Sequence, residues 1–140
     1  TALQLAQREF ARIAAERLVE SGETERYAVE MVGVARTYLA TVVPLLARSA
    51  TTRELAAALH RTSAVPGDRL ISILDETDLL KFARERSSVE RAVAIGTEAR
   101  RIVNETAAAL AAASAAASAA AVSAAAAARS PTSNARADAA

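Results

Sequence analysis

Residues 23–43 read ETERYAVEMVGVARTYLATVV, and the larger side chains Tyr27, Met31, Val34, Tyr38 and Val42 recur at steps of three and four. That spacing lines one face of a helix, so the stretch predicts a long amphipathic helix, interrupted at Pro44. On its N-terminal side, Ser21-Gly22 is a helix stop. It closes an earlier helix over Leu3–Glu20, whose apolar face is Leu3, Ala6, Phe10, Ile13, Ala14 and Leu18. Two helices joined by so short a turn pair as an antiparallel hairpin.

On the C-terminal side, Thr51 stands three residues before Glu54, the spacing of a capping box that satisfies free amides at a helix start. A short third helix follows through Leu55, Ala56 and Leu59. After the turn-like segment Thr62–Gly67, Leu70, Ile71 and Leu74 form the face of a fourth helix, with Pro66 near its first turn and an end near Asp78. Ser87 and Glu90 repeat the capping spacing and open a last helix through Val89, Ala92, Val93, Ala99, Ile102, Val103 and Thr106, weakened locally at Gly96. No run alternates with period two between turn signals. The expected fold is all-α: a compact bundle of about five helices over residues 1–106, with a helix-turn-helix-like centre. An Ala/Ser-rich low-complexity extension, 107–129, and a disordered tail, 130–140, follow it.

Composition narrows the function classes. The chain has 17 basic and 16 acidic residues, which removes the positive field of a non-specific nucleic-acid binder. With no cysteine there is neither a disulfide framework nor a thiolate metal site nor a cysteine nucleophile. The stretch Ala107–Ala128 is uncharged and over twenty residues long. Alanine drives membrane insertion weakly but favours helix, so the stretch reads as a solvent-exposed continuation of the last helix rather than a span.

Candidate chemistry is sparse. His60 is the only histidine, at the end of the third helix, where a cation is simply favourable. Asp75, Glu76 and Asp78 cluster, but lack the alternating ligands and central glycine of a calcium loop. No nucleophile, base or metal set converges, so no catalytic, cofactor-binding or metal residue is assigned and no enzyme is expected. The segment Thr52–Leu74 has the outline of a helix-turn-helix, which makes a DNA-binding module the alternative function. Its second helix offers Arg69 and then runs into acids, too few donors for base and phosphate contacts.

Three stretches carry a family resemblance: Glu25–Leu39 (ERYAVEMVGVARTYL), Thr51-Thr52-Arg53-Glu54-Leu55, and Asp78–Ala83 followed by Val89–Ala92 and Ile102–Thr106. They resemble the cytosolic domain of small membrane-anchored proteins encoded beside MoxR-type AAA+ ATPases and the von Willebrand factor A-domain proteins BatA and BatB. Lys81, the only lysine, falls at that family's lysine position. The resemblance implies a non-catalytic adaptor domain at the cytoplasmic face of a bacterial inner membrane, anchored by a segment upstream of Thr1. Its partners would be the ATPase and the A-domain proteins, in assembly or envelope-stress functions. Leu79, Leu80 and Phe82 are expected to tuck under the bundle, with Arg36, Tyr38, Lys81 and Arg84 as the exposed partner-binding residues, since tyrosine and arginine anchor interfaces.

Overall fold

A computed structural model describes residues 1–49, 51–80, 82 and 87–129, with the side chains of Ser87 and Ser88 outside that description. The fold is all-α, with no strand among the described residues. Its helices are α1 (Ala2–Ala15), α2 (Thr24–Val42), α3 (Pro44–Ala47), α4 (Thr52–His60), α5 (Gly67–Leu80) and α6 (Ser87–Arg129). Two compact units divide the chain, Thr1–Ala109 and Leu110–Ala140. The first runs past residue 106 because Ala107 still packs against the core. The expectation for 130–140 lies outside the described residues.

Helix α1 starts on a capping box in which the Thr1 hydroxyl accepts from the Gln4 amide and the Gln4 side chain returns to the N-terminal amine. It ends at Ala15, short of Glu20, and Ala14 is exposed. The break comes where Arg17 takes φ 50°, a left-handed conformation that no α-helix continues through, and Gly22 at φ 87° finishes the turn. Leu18 nevertheless stays buried, and its carbonyl accepts from the Glu23 amide at 2.8 Å. The hairpin with α2 is antiparallel, as Glu16 beside the end of α1 reaches Arg26 in the first turn of α2.

Pro44 does more than interrupt. It opens the single turn of α3, which buries Leu46 and brings the helices among the described residues to six. Helix α4 begins on the Thr51–Glu54 box as the spacing predicts, with the Glu54 amide donating to the Thr51 hydroxyl at 3.1 Å. Helix α5 passes Asp78 and ends at Leu80. Its buried positions are Leu70, Ile73, Thr77 and Leu80, so the inward face is turned from the expected one and Ile71 and Leu74 lie at its margin. Thr77 is tolerated there because its hydroxyl donates to the Ile73 carbonyl at 2.6 Å.

Helix α6 is the centre of the first unit. Ala92, Ile95, Ala99, Ile102 and Thr106, spaced alternately three and four apart, are all fully buried, as is Val103. Val93, a neighbour of Ala92 in sequence but about 100° round the helix from it, is 44% exposed. Against this seam lie α1, where Arg100 stands 5.7 Å from the Phe10 ring centroid, and α2, where Tyr27 meets Gly96. Helix α5 adds ion pairs from Arg69 to Glu98 and Glu105.

Candidate protein-contact surfaces

Helix α2 sorts the two partner-binding residues placed on it. Arg36 is exposed, on the wall of a polar hollow of about 450 Å³ with Ser49, Thr51, Thr52 and Asp78. Tyr38 is only 4% exposed, which corrects its placement among exposed residues. Two residues further along the helix, it turns inward with Met31, Ala35 and Leu39. Burial disfavours its phenolate and raises its pKa. The proposed site residues Lys81 and Arg84 lie outside the described residues.

The corner after α5 differs from its expected packing. Leu80 is buried, but Leu79 is 60% exposed and Phe82 is 84% exposed. Leu79 cannot follow Leu80 inward, because consecutive residues on a helix point about 100° apart. A bare phenylalanine beside a bare leucine is the kind of apolar anchor that a partner surface uses.

A second surface was not evident from the sequence. Between α1 and α2 runs a groove of about 450 Å³, with Ala2, Leu5, Ala6, Gly33, Val34 and Tyr38 along it and Thr37 and Thr41 on one side. Leu5 is 62% exposed, and Gly33 faces open space. Its polar end is built from Glu9, Arg12 and Glu30. Arg12 pairs with Glu9 at 3.0 Å and with Glu16; Arg26 pairs with Glu30 at 3.4 Å, Glu23 at 3.5 Å and Glu16 at 3.8 Å. Glu9, together with Glu16 and Glu30, raises the pKa of the Arg12 guanidinium, which keeps it charged. Four carboxylates thus share two guanidiniums, and the Glu30 Oε2 is buried with no hydrogen-bond partner among the described residues.

Helices α4 and α5 make the helix-turn-helix outline, but Arg69 is committed to Glu98 and Glu105, which raise its pKa. Asp75, Glu76 and Asp78 lie exposed along α5. His60 is exposed at the end of α4. Among the described residues no group of three or more His, Asp or Glu side chains is placed to hold a metal. In the second unit every residue from Ala111 to Arg129 is exposed. Helix α6 contains an 18-residue window of mean hydropathy 1.6, none of it buried, and by length and composition it is able to cross a membrane. No protein-family model matches the chain, and no curated protein or solved structure matches it either.

Proposed function

We propose that the first unit is a non-catalytic adaptor domain that docks a protein partner through Leu79 and Phe82. The observation that carries this reading is the 84% exposure of Phe82, inside the segment with the most specific family resemblance. Burying an aromatic ring of this size on a partner is among the larger single contributions an interface residue makes. The resemblance names the partner as a MoxR-type AAA+ ATPase working with von Willebrand factor A-domain proteins in assembly or envelope-stress functions. It also places the domain at the cytoplasmic face of a bacterial inner membrane, held by a segment upstream of Thr1.

The experiment is a titration of purified MoxR-type ATPase against the whole chain and its Phe82→Ala variant. Binding by the wild type and a loss of about thirtyfold in the variant, the size of a 2 kcal/mol hot spot, is the expected result. No binding by the wild type would sink the adaptor reading. Equal binding by both would move the contact away from Phe82.

A further inference from the structure

We propose that the groove between α1 and α2 receives the exposed Ala/Ser-rich half of α6 from a second copy of this chain. In that contact Arg129 meets Glu30. Three observations define this occupant.

The first is size. Ala2, Ala6 and Gly33 leave the groove short of side-chain bulk, and a Cβ at Gly33 would meet nothing within 4 Å. A helix can approach such a surface closely only if its own side chains are small, since interaxial distance follows the residues at the contact. From Ala111 to Ala128 the chain is alanine and serine, with Val122 the one larger side chain.

The second is charge. Glu9 and Glu30 line one end of the groove, in a network with more carboxylates than guanidiniums. The excess negative charge at this end attracts a further cation, and an arginine on a carboxylate makes a strong, charge-assisted pair. Arg129 is the only ionisable side chain between Ala111 and Arg129.

The third is register. Val122 and Arg129 are seven residues apart, so they share a helix face and stand roughly 10 Å apart along it. On α2, Val34 and Tyr38 lie four and eight residues from Glu30, roughly 6 and 12 Å along the axis. With this half of α6 running antiparallel to α2, Arg129 set at Glu30 brings Val122 level with the stretch between Val34 and Tyr38, in the groove that the exposed Leu5 also lines. Val122 is itself 70% exposed in the single chain. Reciprocal exchange between two copies fills two identical grooves and gives a closed dimer.

Sedimentation velocity on the whole chain tests this, with Val122→Asp, Arg129→Glu and Gly33→Leu as variants. All three positions are exposed, so circular dichroism should show the helices intact. The wild type should dimerise, and each variant should weaken the dimer at least tenfold, Gly33→Leu by filling the groove from the other side of the contact. A wild type that stays monomeric on the order of 100 μM, where even a weak dimer is populated, overturns the proposal. So does a dimer indifferent to Val122→Asp and Gly33→Leu. Flotation of the wild type, but not of Val122→Asp, with phosphatidylcholine vesicles also overturns it, by assigning this half of α6 to a bilayer.

Discussion

The ring of Tyr27 occupies the space that a side chain at position 96 would need: a Cβ on Gly96 would stand 2.8 Å from both Cε1 and Cζ of Tyr27. Gly96 is therefore more than a weak point in α6. It is the place where α2 and α6 come together, and Tyr27 packs against the core there. Replacing Gly96 by alanine sets two effects against each other. Alanine favours the helix by about 1 kcal/mol over glycine, while forcing the ring aside costs roughly 1–3 kcal/mol. The clash should win, so Gly96→Ala destabilises the domain by about 1 kcal/mol. In a Tyr27→Ala background the same change should become stabilising. Urea unfolding of the four proteins in this cycle checks it, and a Gly96→Ala effect of the same sign in both backgrounds would show that the ring is not the obstacle.

Thr106 makes a complementary prediction on the same helix. It is fully buried, and its hydroxyl has no partner among the described residues. Valine has nearly the same shape without the polar atom, so Thr106→Val removes a desolvation cost and leaves the packing alone. The variant should be more stable by about 1 kcal/mol, raising the melting temperature by a few degrees. A lower melting temperature would reveal that the hydroxyl is hydrogen-bonded in solution.

The two helix starts at Thr51 and Pro66 were legible because a cap is written within four residues and depends on little else. Other features depended on neighbours distant in sequence. Arg17 leaves the helical region with no glycine or proline at its position to mark the break, so α1 is shorter than its apolar spacing suggests. Leu70, Ile71 and Leu74 define one apolar stripe, yet α5 buries Leu70, Ile73, Thr77 and Leu80. Tyr38 and Phe82 show the same limit from opposite sides. An aromatic side chain suits a core and an interface equally well, so residue type alone exchanged the two, leaving Tyr38 for the surface and Phe82 for the interior. The α1–α2 groove had no signal of its own, because it is made by the approach of two helices and by a glycine that adds nothing to either pattern.

Arg69 bears on the DNA-binding alternative. In a recognition helix it would have to be free for phosphate or base edges, but Glu98 and Glu105 hold it, and three exposed acids follow on the same helix. A mobility-shift titration with bulk duplex DNA should show no complex even at low salt, where non-specific binding is strongest. A shift that weakens steeply as salt rises would restore the DNA reading. If it does, Glu98→Gln should strengthen the shift by releasing part of the hold on Arg69.

Tyr38 carries a prediction in the alkaline range. Its folded pKa lies above the ordinary 10.0 because burial penalises the phenolate. The unfolded chain, with its tyrosine in water, releases that proton first. Between the two pKa values the folded state therefore binds more protons than the unfolded state, and stability must fall as pH rises. The contribution is complete below pH 10.0 and disappears as pH climbs through the folded pKa. Phenylalanine has no proton to lose, so Tyr38→Phe should flatten the loss of stability above that pH while shifting neutral-pH stability by no more than about 1 kcal/mol. Urea midpoints measured from pH 7 upward decide it: parallel curves for wild type and variant would mean that the Tyr38 hydroxyl reaches water freely.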